Sequence, residues 1–247
     1  MLADLAASLK AEGRFEEARV AFEKAIELAP EATDYYCGLA TVLRELNERS
    51  AAATTLEQAI ERDPAHSAAR QMLAELYLDM GIYTGVIEQA RAVLKTSPGN
   101  APALAVLAIA CQETGDITAA ITSIEQLLRL TPNEANSHYV LGTLYHRRGD
   151  IDLALERFER VLELAPHTEV GGLAQGEIQN MDGGQIQQIL LLAAENPAFR
   201  IELERDPMQA AWDYGFRISD GAIGVLANLD FEQIPERPRH WGPATYH

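Results

Sequence analysis

The chain has 247 residues, of which 47% are hydrophobic, so it can form one or two domains with a buried core. Its formal net charge of −17 and the lack of a basic patch exclude nucleic acid and anionic membrane surfaces as expected partners. Two cysteines, Cys37 and Cys111, are too few for a disulfide framework and indicate a reducing compartment.

Proline recurs at a fixed interval through the first two thirds of the chain. The prolines stand 34 residues apart, at Pro30, Pro64, Pro98, Pro132 and Pro166. A fixed period of this length is typical of stacked supersecondary units, each of which buries its apolar face against its neighbours. The spacing therefore predicts five repeats over residues 1–166.

Each repeat contains two apolar patterns with helical spacing. The first half has a bulky residue, then leucine, a small residue and a large or apolar one, as in Tyr36, Leu39, Ala40 and Leu43, or His138, Leu141, Gly142 and Tyr145. The second half pairs a small residue with a larger one four later, as in Ala18 and Phe22, or Ala154 and Phe158. Such spacings place the apolar residues on one stripe of a helix, so each repeat is predicted to be a helix, a turn and a helix.

The predicted turns carry residues suited to helix ends. Glycine, which readily adopts the left-handed conformation, stands between the two helices at Gly13, Gly81, Gly115 and Gly149. Asp116 and Asp150 follow two of these glycines and are predicted to cap the second helix of their repeats.

These residues together resemble the tetratricopeptide repeat. The resemblance implies an all-α fold, a right-handed α-solenoid of five helix-turn-helix repeats, with a small C-terminal helical module added to it. It also implies that the first helices line a concave groove that binds a protein or a peptide. The residues expected to point into this groove are Cys37, Thr41 and Arg44; Gln71, Glu75 and Leu78; Ala105, Ile109 and Gln112; and Tyr139, Thr143 and His146.

The expected groove is mixed in character, with small and apolar residues in the middle and polar edges. One known clamp of this family grips a partner's C-terminal carboxylate with lysine and asparagine, whereas Ala3 and Ala7 stand at the first such pair here. An extended or helical peptide of mixed character is therefore the expected ligand.

The period stops after Pro166. A sixth repeat would place Gly172, Gln175, Gly176 and Gln179 on the first-helix stripe, and these cannot form a core. Residues 167–184 are therefore predicted to be a polar capping helix, over 168–181, followed by a break or hinge at Asp182, Gly183 and Gly184.

Residues 185–230 are predicted to form a separate module of four short helices. Asn196-Pro197 and Asp206-Pro207 are each typical of a helix N-cap followed by proline in the first turn, and Ser219 is predicted to cap another helix. The predicted core of this module is Phe199, Leu203, Ala211, Trp212, Tyr214, Phe216, Ile218, Ile223 and Leu226.

This module is similar to the leader region of nitrile-hydratase-like and nitrogen-fixation-like peptide precursors and to the small subunit of extradiol dioxygenases. The residues that carry the resemblance are Phe199 and Arg200, Leu203, Asp206-Pro207, Ala210, Tyr214-Gly215 and Ser219. The precursor families have a core peptide rich in cysteine, serine or threonine after the leader, and the ending FEQIPERPRHWGPATYH lacks one. The resemblance implies a small recognition module.

Residues 231–247 form a tail with three prolines and several aromatic residues. Proline favours extended conformations, and aromatic side chains bury a large area with few rotatable bonds. The tail is therefore predicted to bind a partner or to fold back into the chain's own groove, with the contacts made by Phe231, Trp241 and Tyr246.

No catalytic, metal-ligating or cofactor-binding pattern stands out. The histidines lack the spacing of a metal site, and no glycine-rich phosphate loop or nucleophile motif occurs, so neither an enzyme nor a cofactor is expected. No apolar stretch is long enough to span a bilayer and no secretory signal is evident, so a cytoplasmic location is expected. The chain begins almost in mid-repeat, which leaves open that it is a fragment of a longer array.

The sequence as a whole predicts a non-catalytic adaptor that binds a protein or peptide partner, such as a multi-subunit complex, through the groove and through the module or tail. Two alternatives stay open: an accessory subunit of an enzyme complex, and a leader-like or recognition factor in peptide natural-product biosynthesis. Self-association is a further expectation, because a first repeat without a cap can stack on another copy.

Overall fold

A computed structural model describes residues 1–229, and these are helical throughout apart from short connections. The tail residues predicted to bind a partner, Phe231, Trp241 and Tyr246, lie outside the described residues. The chain divides into two compact units, Met1–Pro132 and Asn133–His247. The first four predicted repeats belong to the first unit and the fifth belongs to the second. The predicted all-α fold of helix-turn-helix repeats is confirmed for residues 1–229.

The first unit consists of eight helices in four pairs. Each helix packs against the next one in the sequence, and each first helix also contacts the first helix of the following repeat. The helices are α1 (Leu2–Ala11), α2 (Phe15–Leu28), α3 (Thr33–Glu45), α4 (Arg49–Arg62), α5 (Ser67–Asp79), α6 (Tyr83–Thr96), α7 (Ala101–Glu113) and α8 (Ile117–Leu130).

The predicted apolar stripe forms the core between these helices. Leu39, Ala40 and Leu43 of α3 are all buried and pack with α2 and α4. Gly38, which lies beside this stripe, faces the ring of Phe22, and a Cβ atom at Gly38 would collide with that ring. Small residues therefore let neighbouring helices approach closely while aromatic rings fill the remaining space.

The turns within the repeats contain the predicted residues with a left-handed backbone conformation. Gly13, Gly81 and Gly115 have φ angles of 75°, 71° and 82°, and Gly149 has the same conformation in the second unit. The second repeat has Asn47 at this position with φ 62°, which asparagine tolerates better than most other residues. The 34-residue period is thus preserved where glycine is missing.

Side chains cap several helices of the repeats. Asp116 accepts a hydrogen bond from the Ala119 amide, as predicted, and Asn100 accepts one from the Ala103 amide at 2.9 Å. Asp150 also stands at a helix start, but the predicted cap hydrogen bond is not formed because its carboxylate pairs with the Arg148 guanidinium.

The second unit begins with the fifth helix pair and continues into a longer helix and three short ones. The helices are α9 (Ala135–Arg148), α10 (Ile151–Leu164), α11 (Glu169–Glu195), α12 (Pro197–Arg205), α13 (Pro207–Asp213) and α14 (Asp220–Ala227). The predicted caps at Asn196, Asp206 and Ser219 all accept hydrogen bonds from amides of the helix they precede.

Helix α11 corrects the predicted break at Asp182, Gly183 and Gly184, because it runs without interruption through these residues. The Asp182 carboxylate is buried and accepts hydrogen bonds from the amide and the hydroxyl of Ser219, at 2.9 and 2.6 Å. Apolar residues on both sides of the glycines, Met181 and Ile189, are also buried. Tertiary contacts therefore offset the poor helix propensity of the two glycines.

Helix α11 also begins in phase with the repeats, 34 residues after α9. The positions Gly172, Gln175 and Gln179 are exposed, in agreement with the prediction that they form no core. The buried residues lie elsewhere on the helix, at Gly171, Ala174, Ile178 and Met181. This face packs against α10 and α9, so α11 acts as a first helix that lacks a second helix of its own.

The C-terminal module has its own small core. Ile189 and Ala193 of α11 pack with Phe199, Leu203, Ala210, Ala211, Ile218, Ala222 and Leu226. The module thus contains three short helices and the second half of α11, instead of the four short helices predicted. Trp212 and Tyr214, which the sequence places in the core, are 51% and 40% exposed, because each ring covers the outside of the core. The Tyr214 ring packs at an angle of 52° against Phe199, and Trp212 lies against the Arg217 guanidinium.

Polar contacts hold the segment between α13 and α14 against α11 and α10. The Gln185 side-chain amide donates to the Arg217 carbonyl oxygen and accepts from the Arg217 amide. The Arg217 guanidinium pairs with the Asp152 carboxylate at 3.1 Å. The bonds of Gln185 and Asp182 thus hold this segment on α11, and the Arg217–Asp152 pair connects it to the fifth repeat.

We expect Gly142→Leu to destabilise the protein by about 2 kcal/mol or more, because a Cβ atom there would stand 2.7 Å from the fully buried ring of Phe158. The matched control is Gly172→Leu on α11, where a Cβ atom would meet nothing within 4 Å. That change should stabilise the helix by about 0.5–1 kcal/mol. Chemical denaturation measures both, and equal effects of the two changes would contradict this packing.

We expect Glu159→Gln to stabilise the protein at pH 7 by about 0.5–1 kcal/mol. Burial, and then the nearby carboxylates of Asp220 and Asp182, raise the pKa of Glu159 above its usual range. Because the folded pKa lies above the unfolded one, the carboxylate costs stability at neutral pH, and protonation relieves this cost as the pH falls through the folded pKa.

The stabilisation by Glu159→Gln should therefore shrink as the pH is lowered from 7 toward 4. Thermal unfolding over this pH range measures the effect. Glu156→Gln on the same helix is the control, because that exposed carboxylate pairs with Arg157 and its loss should give no gain. A stabilisation by Glu159→Gln that does not depend on pH would contradict the assignment.

Candidate functional site

The predicted groove residues all lie on first helices and all remain accessible. Glu75, Ile109 and His146 are exposed, and the other nine are half-buried. Those on α3, α5 and α7 belong to the first unit, whereas Tyr139, Thr143 and His146 belong to the second. Accessibility is a requirement for binding, so none of these residues is excluded as a contact.

A narrow cleft between α5 and α7 contains two of the predicted residues, Gln71 and Glu75. Its other walls are Ala74 on α5, Ala90 and Val93 on α6, and Pro102, Ala103 and Val106 on α7. The cavity volume is about 10 Å³, which corresponds to about one water molecule. The cleft is too small for a partner's side chain.

A much larger depression lies between the first halves of α9 and α11. Its volume is about 500 Å³, and it contains Tyr139 from the predicted set. The apolar part consists of Tyr139, Val140, Ala135, Ala165, Val170 and Leu173, and the polar part of Asn136, Thr168 and Glu169. Leu173 is 49% exposed, which leaves a large apolar side chain available to a partner.

Capping interactions and close packing hold the two walls of the depression in place. The Glu134 carboxylate accepts hydrogen bonds from the amides of Asn136 and Ser137 at the start of α9. The Thr168 hydroxyl accepts from the Gly171 amide and donates to the Ala165 carbonyl oxygen at the start of α11. A Cβ atom at Gly171 would collide with the Ala165 carbonyl, so glycine permits this close approach.

The depression is negative and is built around one aromatic ring. The Tyr139 ring packs against Phe158 with centroids 5.8 Å apart. Partial burial, and then the Glu177 carboxylate, raise the pKa of Tyr139, so its hydroxyl stays protonated at neutral pH. Glu169 adds a second carboxylate at the rim, and no lysine or arginine is among the residues that line the depression. These features suit a ligand with an apolar side chain next to a positive charge.

Several other predicted residues have local partners. The hydroxyls of Thr41 and Thr143 donate to carbonyl oxygens of their own helices, at Cys37 and Val140. Burial, and then the Asp34 carboxylate, raise the pKa of the Cys37 thiol to about 11, so this cysteine is not a reactive thiolate at neutral pH. The structure thus brings only Tyr139 of the predicted second-unit residues into the depression, and Thr143 and His146 do not line it.

The depression is also lined by residues outside the predicted set, among them Asn136, Val170 and Leu173. The repeat period carried the missing signal, since Val170 and Leu173 stand 34 residues after Asn136 and Tyr139. Because the predicted period ends at Pro166, the predicted groove ends at α9 and does not include α11.

The residues that link the module to leader regions and dioxygenase subunits have structural roles in this chain. Phe199, Leu203 and Ala210 are buried in the module core. Asp206 and Ser219 cap α13 and α14, and Gly215 adopts φ 86° after α13. These residues of the pattern therefore form the core, the helix caps and a turn of the module.

Two further kinds of site are not found within residues 1–229. No group of three or more histidine, cysteine, aspartate or glutamate residues in this range is placed to hold a metal ion. None of the helices formed by these residues has both the length and the apolar character needed to cross a membrane.

Comparison with protein families identifies the repeats. Two models, both described as tetratricopeptide repeat, match residues 9–76 and 106–167, which together are just over half of the chain. No curated protein sequence matches the chain at a significant level.

Several solved structures share the fold. "YrrB: a TPR protein with an unusual peptide-binding site" has 17% sequence identity and a TM-score of 0.63, and the match covers 71% of this chain and 90% of that one. MamA from Desulfovibrio magneticus RS-1 has 21% identity and a TM-score of 0.61, with coverage of 68% and 95%. Another MamA structure has 18% identity, a TM-score of 0.61 and coverage of 66% and 88%.

The repeat period, the paired helices and the two family matches agree with one another. The chain therefore belongs to the tetratricopeptide repeat family and is a protein-interaction scaffold built from helical repeats.

Proposed function

We propose that the chain is a non-catalytic adaptor whose principal contact with a protein partner is the depression between α9 and α11. The observation that carries this proposal is the apolar surface of exposed Leu173 and half-buried Tyr139 and Val170, with the Glu169 carboxylate beside it. Its volume of about 500 Å³ can hold one or two large side chains, whereas the α5–α7 cleft holds none.

The chemistry of the depression favours a peptide segment with an apolar or aromatic side chain next to lysine or arginine. The apolar walls contribute affinity by burying that side chain, and the carboxylates of Glu169 and Glu177 select the positive charge. YrrB, which shares the fold, is described as having an unusual peptide-binding site. That likeness supports the proposal of a peptide ligand for this chain.

The remaining predicted groove residues extend this proposal to the first unit. Ile109 is 46% exposed on α7, and Gln71, Leu78 and Gln112 are partly accessible on α5 and α7. A longer partner segment could contact these residues through polar and apolar groups. We place them second to the depression because the cleft beside Gln71 has a volume of only about 10 Å³.

A second candidate role is that of an accessory subunit in an enzyme complex, which follows from the resemblance of the module to dioxygenase subunits. The supporting observation is the exposed apolar surface of α12 and α13, where Ile201, Met208 and Trp212 are 67%, 43% and 51% exposed. The resemblance to leader regions would equally suit a recognition factor in peptide biosynthesis. Copurification with a stoichiometric catalytic subunit would favour the accessory role.

We expect Leu173→Glu to reduce partner binding by about tenfold or more, because it removes apolar contact and adds a third carboxylate to the depression. Affinity capture with the full chain, followed by quantitative mass spectrometry, identifies the partners. Titration with the purified partner then gives the ratio of dissociation constants for the variant and the parent chain.

The control is Leu191→Glu, which makes the same change on the same helix at a residue that is 40% exposed and lies outside the depression. It should leave partner binding unchanged. Circular dichroism checks that both variants fold. Equal retention of partners by Leu173→Glu and the parent chain would contradict the proposed site.

A further inference from the structure

The depression between α9 and α11 is an acidic, apolar surface that no described residue covers. Its walls expose half of the Leu173 side chain and leave the polar rim of Glu169 and Asn136 accessible. An occupant that complements this surface has the opposite charge and its own apolar group. The identity of that occupant is a separate question from whether the surface binds proteins at all.

The chain itself contains a segment with this chemistry. Residues 237–241 read Arg-Pro-Arg-His-Trp, which places two guanidinium groups beside the large apolar ring of Trp241 without an intervening carboxylate. The depression has the reverse character, because Glu169 lines it with Tyr139 and Leu173, Glu177 lies near Tyr139, and no lysine or arginine is among the lining residues. Charge and apolar character are therefore complementary between the two.

The segment can reach the depression. The path from Leu173 along α11 to Asp182, across its hydrogen bond to Ser219, and along α14 to Leu229 is at most about 37 Å long. The chain from Leu229 to Trp241 extends up to about 40 Å. The direct distance must be shorter than the path, so the tether allows the contact within one molecule.

The composition of the segment lowers the entropic cost of such a contact. Pro235, Pro238 and Pro243 restrict the backbone before it binds, and Trp241 buries a large area with only two rotatable side-chain bonds. A ligand on the same chain also acts at an effective concentration of about a millimolar or more, so even a weak contact is populated.

We propose that residues 237–241 of this chain bind in the depression between α9 and α11, with the Trp241 ring against Tyr139 and Leu173 and the two arginines facing Glu169 and Glu177. The tail then competes with any protein partner for the same surface. This inference rests on the proposed function for its site, and it commits to the chain's own segment as the occupant.

The test uses the fluorescence of Trp241 in the full chain. The chain has two tryptophans, and Trp212→Phe removes the other one while keeping an aromatic ring beside Arg217. In this background we expect Trp241 to show a blue-shifted emission and protection from acrylamide. Leu173→Glu should shift the equilibrium toward the unbound tail by about tenfold, with a red shift and faster quenching.

Two controls separate binding from misfolding. Leu191→Glu places the same charge elsewhere on α11 and should leave the Trp241 emission unchanged. Replacing Arg237 and Arg239 together by glutamate leaves every described residue intact and should release Trp241 as Leu173→Glu does. The parent signal should also weaken as the salt concentration rises, because the contact is partly electrostatic.

Each result of the Trp241 fluorescence experiment leads to a different conclusion. A solvent-like emission of Trp241 in the reporter chain overturns the inference, as does a protected emission that Leu173→Glu leaves unchanged. Protection that appears only at concentrations where light scattering reports dimers would assign the tail to a second copy and also overturn it. If Trp241 is unbound while a partner still depends on Leu173, the proposed function stands without this inference. If Trp241 is bound and no partner depends on Leu173, this inference stands and the proposed partner site is wrong.

Discussion

The structure depends on the close approach of helices at small residues opposite large rings. Within the second unit Gly142 faces the buried ring of Phe158, and within the first unit Gly38 faces Phe22. Neither helix of such a pair can bury its apolar stripe alone, so the repeats are stable only as packed neighbours. The 34-residue period reflects this constraint, because the equivalents of Gly142 in earlier repeats are also small residues, at Ala40, Ala74 and Ala108.

The candidate site lies where the repeat pattern continues for one more helix, α11, without a second helix to pair with it. Helix α11 keeps the face that packs on the fifth repeat, through Ala174 and Ile178, but has Gln175 and Gln179 where a second helix of its own would pack. The groove side of the helix is retained as well, with Leu173 opposite Tyr139. The proposed binding surface therefore lies at the end of the repeats, where one wall is the unpaired first helix α11.

Most of the fold could be predicted from the sequence because it depends on local signals. The turn glycines, the caps at Asn100, Asp206 and Ser219, and the apolar stripes each act over a few residues. The course of α11 could not be predicted in this way. Its glycines are poor helix formers, and only contacts with distant residues, such as that of Asp182 with Ser219, keep them helical. Val170 and Leu173 are absent from the predicted groove for a different reason, because the predicted repeats end at Pro166.

Helix α11 also connects two regions, since one continuous helical rod of about 40 Å forms a wall of the depression at one end and part of the module core at the other. Gly183 and Gly184 lie between the two ends and add no side-chain contacts of their own. A ligand that tilts the rod at Leu173 must move Ile189 and the helices packed on it. A ligand in the depression and a protein on the module would therefore contact the same helix, and by thermodynamic linkage any effect of one on the affinity of the other would be reciprocal.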